Sequence, residues 1–230
     1  MSEDTVSQSC KDIATLIDHS LLQPNATDRD LATACEIARR WDVAVMMVRP
    51  YHVKKASQIL RGSTVPVATT VGFPHGCNAS LVKVYEAEVA LDEGAVELDM
   101  VANIGAIKSG DWGFAERDIA AVVSVARRCS AVVKVIIETC FLDEAEKVRA
   151  CEAVKTAGAD FVKTSTGYGP AGANVDDVEL MRRAVGPDFG VKASGGIRTL
   201  DVLLQLLNAG ANRIGTSSTA AIMAECHRRE

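Results

Sequence analysis

The chain has 230 residues, of which 48% are hydrophobic and 24% charged, a composition typical of a globular enzyme with length for one large or two small domains. A net charge of -5 without a basic stretch argues against nucleic acid as a partner, since phosphate backbones are bound by clustered lysine and arginine. No apolar run is long enough to span a membrane, and residues 1–12 are too polar for a signal peptide, so we expect a cytoplasmic protein without a membrane partner.

Eight short apolar runs alternate with helical patterns along the chain. The runs are residues 14–22, 43–48, 65–73, 95–101, 131–138, 159–164, 189–194 and 212–217. Between them, apolar residues recur at the i, i+3, i+4, i+7 spacing of amphipathic helices, as in Ile119, Val122, Val123, Ala126 and in Leu200, Leu203, Leu204, Leu207. Predicted helix starts are Thr27 with Asp28, Asn78, Asp143 with Glu146, and Thr199.

Three glycines, Gly94, Gly158 and Gly210, each follow a helical pattern and precede a short apolar run. Asp99, Lys163 and Gly215 each lie five residues after one of these glycines. The same strand-helix unit is therefore repeated, each time with a distinctive residue near the end of its strand. Eight such units predict an α/β fold, a single-domain (β/α)8 TIM barrel over residues 1–230. A doubly wound open sheet is the alternative, but no GxGxxG motif follows the first run.

Lys163 and Lys192 hold the same position on two neighbouring predicted strands, each before a turn rich in Ser, Thr and Gly. Barrel geometry places both at the carboxyl ends of the strands, where TIM barrels carry their active sites. An amine beside a second ammonium loses its proton more easily, and a neutral lysine forms Schiff bases with carbonyl compounds. The alternative is a pair of surface lysines whose charges reach water.

Charged residues also interrupt other apolar runs. Aspartate is a poor strand residue, so Asp18 and Asp99 are each either a proton-transfer group or a buried salt-bridge partner. We interpret Asp99 as functional, and both interpretations stay open for Asp18. Lys134 and Glu138 lie in or at the end of another run, and we expect them in the same charge network.

Three turns of small residues, in KTSTG, SGGIRT and RIGTSS, are candidates for a phosphate site. The last two follow strands seven and eight and open helices. Backbone N–H groups at a helix N-terminus, with hydroxyls alongside, are the usual phosphate ligands in these barrels. Arg198 is either an added positive charge or a solvent-facing helix residue.

The seven cysteines and four histidines show no metal-binding spacing. An odd cysteine count without a CxxC motif predicts small, buried or half-buried thiols in a reducing compartment. No histidine pair has ligand spacing, so we expect no metal.

With these residues assembled, the chain resembles the deoxyribose-phosphate aldolase family, whose members are class I aldolases with a (β/α)8 barrel. The matching motifs are LIDHSLLQPNAT, VATTVGFPHG, VELDMVANIGAIKSGDW, VKVIIET, ADFVKTSTG, VKASGGIRT and RIGTSS. The resemblance implies reversible cleavage of 2-deoxy-D-ribose 5-phosphate to D-glyceraldehyde 3-phosphate and acetaldehyde, in deoxyribonucleotide catabolism. It implies a phosphorylated sugar and acetaldehyde as partners, no cofactor, and a homo-oligomer, dimeric or tetrameric.

The resemblance also implies residue roles. Lys163 is implied as the Schiff-base lysine, Lys192 as the group that lowers its pKa, and Asp99 as a proton shuttle acting with an ordered water. Asp18 and Ser20 are implied to help bind the sugar, and Gly167, Gly195, Gly196, Ser217 and Ser218 to hold the phosphate. Our predicted substrate-binding set also includes Met47, Lys134, Thr166 and Gly215.

Two other functions stay open at this point. One is a different phosphate-binding barrel enzyme, another Schiff-base aldolase or an isomerase, because glycine turns are widely shared among barrels. The acid together with both lysines counts against an isomerase. The other is a non-catalytic barrel that binds a sugar phosphate, for which loss of a lysine or of the acid is expected, and none of the three is replaced.

The chain departs from the family in three places. Met47 stands where the family often has a cysteine near the substrate, and Tyr168 where some relatives have a lysine that reaches the phosphate. Because Tyr168 lacks that positive charge, we expect weaker affinity for the phosphorylated substrate. The chain stops at HRRE, without the tyrosine-ended tail of some members, so we expect proton transfer to depend on Asp99, Lys192 and water.

We predict that this protein tolerates concentrated acetaldehyde better than its Met47→Cys variant does. A thiolate is nucleophilic and can be trapped by reactive aldehydes, whereas a thioether is much less so. Residual activity after incubation with acetaldehyde is the measurement, and equal inactivation of the two proteins would contradict the prediction.

Overall fold

The computed structural model describes residues 9–230, so the first eight residues of the predicted single domain, with most of the polar start, lie outside the described residues. Eight parallel strands form a closed barrel in chain order, with the eighth pairing with the first. The strands are β1 Ile17–Leu21, β2 Val45–Val48, β3 Val67–Val71, β4 Ala95–Val101, β5 Val132–Ile136, β6 Phe161–Lys163, β7 Gly190–Ser194 and β8 Arg213–Thr216. The predicted (β/α)8 barrel is confirmed, since each apolar run contains one strand.

Helices connect the strands and cover the outside of the barrel. They are α1 Cys10–Ala14, α2 Asp28–Trp41, α3 Val53–Ile59, α4 Ser80–Asp92, α5 Ile104–Lys108, α6 Trp112–Arg128, α7 Glu144–Thr156, α8 Val175–Val185, α9 Leu200–Asn208 and α10 Thr219–Arg229. Short 3-10 turns lie at Pro50–His52 and Thr139–Phe141. Within residues 9–230, no helix combines the length and the apolar character needed to cross a membrane.

The helix boundaries follow local signals in most places. Thr27, Asp143 and Thr199 are N-caps whose side chains accept backbone N–H groups, as predicted. The prediction for Asn78 is wrong: Ala79 occupies the cap position of α4 without a side-chain hydrogen bond, which leaves Asn78 outside the helix.

The three stop glycines are confirmed as helix ends. Gly94, Gly158 and Gly210 lie just after α4, α7 and α9 with φ of +106°, +79° and +109°. Side chains are disfavoured in this left-handed region, so glycine lets the chain leave each helix and enter the next strand directly.

Strand side chains alternate between two environments. Outward positions such as Leu98, Val133 and Val162 are buried with the helices in the main hydrophobic core. Inward positions form a small separate cluster of Val45, Met47 and Ala68 at β2 and β3. Strands β4 to β8, and β1 with Asp18, instead place charged side chains inside, so the interior of the barrel has one apolar side and one charged side.

Cys10 on α1 and Cys226 on α10 form a disulfide with an S–S distance of 2.08 Å. The expectation of free thiols is wrong for this pair, because closure of the barrel brings together helices 216 residues apart in sequence. Burial raises the pKa of the free Cys35 thiol to about 11. The other free cysteines are Cys151, which is buried, Cys140, which is half-buried, and Cys77 and Cys129, which are exposed and also depart from the expectation.

Candidate active site

A cavity of about 390 Å³ lies among the loops that follow the strands. Of the predicted site residues, it is lined by Asp18, Ser20, Met47, Lys163, Thr166, Gly167, Lys192, Gly195, Gly196, Gly215, Ser217 and Ser218. Asp99 and Lys134 do not line it, because both are fully buried behind the two lysines of its wall. The predicted set therefore divides into a cavity wall and a supporting layer inside the barrel.

Strand register explains why the lysines meet. Lys163 on β6 pairs directly with Lys192 on β7, and Asp99 on β4 pairs directly with Lys134 on β5. Paired residues in adjacent strands point to the same side of a sheet. All four side chains therefore enter the barrel at neighbouring positions.

Asp99 is the centre of this charged layer. Its Oδ2 accepts hydrogen bonds from Lys163 Nζ at 2.7 Å and from Lys192 Nζ at 2.6 Å, and its Oδ1 accepts one from Lys134 Nζ at 2.9 Å. The Asp99 carboxylate is fully buried, and each of the three lysine side chains is at most 3% exposed. One carboxylate thus fixes three amines relative to each other.

Two further carboxylates, those of Asp18 and Glu97, complete the network of ion pairs. Asp18 accepts from Lys192 and, at 2.8 Å, from Arg213 Nη1, while Glu97 lies 2.5 Å from Lys134 Nζ. Glu97 and Arg213 are not among the site residues predicted from the sequence. Each lies two residues before a predicted site residue on its strand, and a period of two places such residues on the same face, which was the available signal.

Both buried aspartates are held in the charged form. Burial by itself raises the pKa of Asp18, but the positive charges of Lys134, Lys192 and Arg213 outweigh it and lower that pKa to about 2. The same balance, with Lys134 and Lys163 as the main cations, holds the pKa of Asp99 well below its usual range. At neutral pH the network therefore contains ionised acids.

Lys163 behaves differently from the lysine behind it. Burial lowers its pKa from 10.5 to about 8; Asp99 opposes this effect and the nearby Lys192 ammonium reinforces it. Lys134 is fully buried too, yet three carboxylates outweigh burial and raise its pKa. Burial, which the sequence argument did not consider, is thus the larger cause of the lowered pKa of Lys163.

The charge count supports a neutral Lys163. The network contains the carboxylates Asp18, Glu97 and Asp99 and the basic groups Lys134, Lys163, Lys192 and Arg213. A net buried charge is costly, so one base is favoured in its neutral form. Lys163 is the base with a single carboxylate partner, and it lines the cavity.

The small-residue turns present backbone N–H groups at the cavity. Within residues 9–230, no protein group accepts the N–H of Gly167, Gly195, Gly196 or Ser217. These four residues, which we call the phosphate cradle, all line the cavity. Ser217 also precedes the N-terminus of α10, and unpaired amides there are suited to an anion.

Two threonines shape these turns. Thr216 Oγ1 accepts the Ser218 N–H at 2.9 Å and donates to the Ile197 carbonyl at 2.7 Å. Thr166 Oγ1 accepts the Tyr168 N–H at 3.0 Å and donates to Glu138. The middle residues of the two turns, Gly167 and Ser217, therefore keep an N–H that has no protein acceptor within residues 9–230.

The outer wall of the cavity is a loop that the sequence interpretation missed. Residues 22–25 line the cavity, and Arg49 donates to the carbonyls of Pro24 at 2.6 Å and Ala26 at 2.7 Å. Tyr168 Oη donates to the Leu22 carbonyl at 2.8 Å, so it links the loop after β6 to the loop after β1. Arg198 also lines the cavity.

One cluster among residues 9–230 has the ligand types of a metal site. Cys10, Cys226 and Glu230 place their ligand atoms within 4.8 Å of one another. The two sulfurs are joined in the disulfide, and none of the three residues lines the cavity. The cluster therefore has no part in the chemistry of the cavity.

Comparison with known proteins agrees with the geometry. A family model described as DeoC/LacD family aldolase matches residues 13–224. A deoxyribose-phosphate aldolase of Thermococcus gammatolerans is 54% identical over 214 residues, covering 92% of this chain and 95% of that protein. One from Caldanaerobacter subterraneus subsp. tengcongensis is 49% identical over 219 residues, covering 95% of each chain.

A solved structure agrees as well. The deoxyribose phosphate aldolase of Aeropyrum pernix, described as a unique tetrameric structure, aligns with a TM-score of 0.90 at 33% identity, covering 96% of this chain and 94% of its own. The family model and the relatives both span nearly all of the sequence. The chain therefore belongs to the DeoC/LacD family of aldolases.

Proposed function

We propose that the protein catalyses the reversible cleavage of 2-deoxy-D-ribose 5-phosphate to D-glyceraldehyde 3-phosphate and acetaldehyde. The observation that carries this proposal is a lysine with its pKa lowered to about 8, Lys163, in the same cavity as the phosphate cradle. An amine nucleophile and an anion site in one cavity match an aldehyde that carries a phosphate.

The proposed synthesis begins at Lys163. Its neutral amine attacks the carbonyl carbon of acetaldehyde, and loss of water gives a protonated imine, which is an electron sink. A water held by Lys192, which Asp99 positions from behind the cavity wall, removes a proton from the methyl carbon to give an enamine. The enamine carbon forms a bond to the aldehyde carbon of glyceraldehyde 3-phosphate, whose oxygen takes up a proton. Hydrolysis of the imine releases the product, and cleavage follows the same steps in reverse.

The remaining site residues hold the substrate. The phosphate cradle donates N–H groups to the phosphate, with Ser218 and Thr166 supporting its turns. Asp18 and Ser20 line the cavity and contact the sugar hydroxyls, while Met47 and Gly215 shape its wall. Lys134 does not line the cavity, so its role is to fix the charge of Asp99 rather than to bind substrate.

The reaction belongs to deoxyribonucleotide catabolism, and we place it in the cytoplasm, where a charged sugar phosphate is retained by the membrane. We also propose a homo-oligomer. Leu81, Tyr85 and Val89 recur every four residues on α4 with exposed fractions of 81%, 68% and 38%. Apolar side chains exposed together mark interaction surfaces.

Borohydride trapping tests the central lysine. We expect acetaldehyde and sodium borohydride to leave a stable ethyl adduct on Lys163, seen by intact-mass spectrometry and peptide mapping. In Lys163→Ala the adduct should vanish and aldol cleavage should fall by about 10³-fold or more, because the covalent route is lost. Lys54→Ala, which removes an exposed lysine, is the matched control and should behave like the wild type.

No adduct on the wild type, or one unchanged in Lys163→Ala, would overturn the proposal. The two alternative functions, an isomerase and a non-catalytic sugar-phosphate binder, would then be favoured, because neither forms a reducible imine. Circular dichroism of the variant separates a loss of folding from a loss of the nucleophile.

The pH dependence of trapping follows from the lowered pKa of Lys163. Below about pH 8 the amine is protonated and cannot attack, so the initial trapping rate should rise about tenfold from pH 7 to pH 9 and then level off. Lys192 lowers this pKa, so Lys192→Gln should shift the rise to higher pH, whereas Lys54→Gln should leave it in place. A rate independent of pH between 6 and 9 would disprove the assignment.

Sedimentation equilibrium tests the assembly. We expect a mass of two or four times the 24.4 kDa chain, and a smaller mass for Tyr85→Lys, which places a charge in the apolar stripe of α4. The exposed Lys54→Gln serves as the control variant. A monomeric wild type would rule out the oligomer, and an unchanged mass for Tyr85→Lys would place the interface elsewhere.

A further inference from the structure

We propose that Glu138 is a positioning residue that sets the Thr166 turn of the phosphate cradle and thereby the preference for phosphorylated substrate. The sequence grouped Glu138 with the lysine network, but the structure places it elsewhere. This inference rests on the proposed function, since the anion concerned is the phosphate of the sugar.

The backbone around Glu138 is held firmly. Glu138 follows β5 with φ of +51°, in the left-handed region that non-glycine residues rarely adopt. On either side of it, the N–H groups of Ile137 and Thr139 donate to the carbonyls of Lys163 at 3.0 Å and Thr164 at 2.9 Å. These bonds attach the loop after β5 to the end of β6 and direct the Glu138 side chain to the loop that follows.

The Glu138 carboxylate makes most of its hydrogen bonds with one residue, Thr166. It is 2% exposed and accepts the Thr166 N–H at 3.1 and 3.2 Å on its two oxygens, as well as the Thr166 hydroxyl. Its other partner in the described part of the chain is the Cys140 thiol at 3.9 Å. A buried carboxylate without a cation is costly, and its charge-assisted hydrogen bonds are roughly twice as strong as neutral ones.

These bonds decide which amide faces the substrate. The Thr166 N–H is occupied by Glu138, and the Tyr168 N–H is occupied by the Thr166 hydroxyl. Gly167, with φ of +86°, is left as the residue of this turn whose N–H has no protein acceptor in residues 9–230. Glu138 does not line the cavity, so it acts through Thr166.

The turn after β8 provides an internal comparison. There Thr216 makes the same two hydroxyl bonds, but its hydroxyl donates to a neutral acceptor, the Ile197 carbonyl. In the turn after β6, the neutral carbonyl is replaced by a carboxylate that also takes the threonine N–H. The carboxylate therefore holds the loop between β6 and α8 through two groups of Thr166, its N–H and its hydroxyl, whereas the Ile197 carbonyl accepts only the hydroxyl of Thr216.

Steady-state kinetics on two substrates tests this role. Glu138→Asn tolerates the left-handed backbone but is too short to reach Thr166, and Glu138→Gln keeps the length but not the charge. We expect Glu138→Asn to raise KM for 2-deoxyribose 5-phosphate about tenfold, as loss of one such bond predicts, with Glu138→Gln between it and the wild type. For unphosphorylated 2-deoxyribose, kcat/KM should stay within about twofold, since no phosphate contact is involved.

Glu152→Gln, an exposed acid on α7, is the control and should match the wild type for both substrates. Thr166→Val removes the hydroxyl while keeping the Thr166 N–H bond, and it should show the same selective loss, which preserves the test if Glu138→Asn does not fold. An unchanged KM for the phosphorylated substrate would overturn the proposal. An equal fall for both substrates would also overturn it, because it would indicate a general structural role.

A calorimetric titration with inorganic phosphate tests the role of Glu138 without depending on the reaction. If the wild type fails to trap acetaldehyde, the proposed function falls, and the titration alone then decides on Glu138. Weaker phosphate binding by Glu138→Asn than by the wild type supports the positioning role, and equal binding overturns it.

Discussion

Asp99 accepts hydrogen bonds from three lysines inside a barrel that buries it completely, and the chemistry of the cavity depends on this contact. Further carboxylates offset the cost of burying the other two lysines: Asp18 and Glu97 pair with Lys134, and Asp18 pairs with Lys192. Among the described residues 9–230, Lys163 has Asp99 as its single carboxylate partner, so burial prevails over attraction and the pKa of its amine falls. The same acid thus helps to raise the pKa of Lys134 and lies beside Lys163, whose pKa is lowered. A lone lysine in an apolar pocket would also lose its proton readily, but it would lack the acid and the second amine that the barrel fixes beside Lys163.

The alternation of side chains between the two faces of each strand separates the apolar core from the charged interior of the barrel. Outward residues form the apolar core under the helices, and this burial supplies the hydrophobic stabilisation of the barrel. Inward residues are then free to carry charge on β1 and on β4 to β8, while Val45 and Met47 keep the facing side apolar. The loops above add a third layer, in which threonine hydroxyls occupy some amides and leave others for an anion. The charged groups and the unpaired amides are therefore supplied by different parts of the strand-loop units.

Much of the fold could be predicted from local signals, because apolar runs, cap residues such as Thr27 and stop glycines such as Gly94 act within a few residues of themselves. The pairing of Lys163 with Lys192 was also predictable, since equivalent positions on neighbouring parallel strands must meet. Predicting Glu97 and Arg213 as site residues would have required knowing which alternate residues of each strand face the barrel interior. The effect of burial on Lys163, the contact between Glu138 and Thr166, and the Cys10–Cys226 bond depend on distances set only when the barrel closes.

That last bond changes the topology of the molecule. Strand β8 already returns to β1, and the disulfide joins the helices next to them, so the covalent chain between Cys10 and Cys226 is a ring that follows the ring of strands. A single peptide cleavage in any surface loop of this ring leaves both fragments tethered, and they separate only after the disulfide is reduced. The start and end of the described chain also lie side by side, which is the arrangement that favours moving the chain ends to another loop by circular permutation.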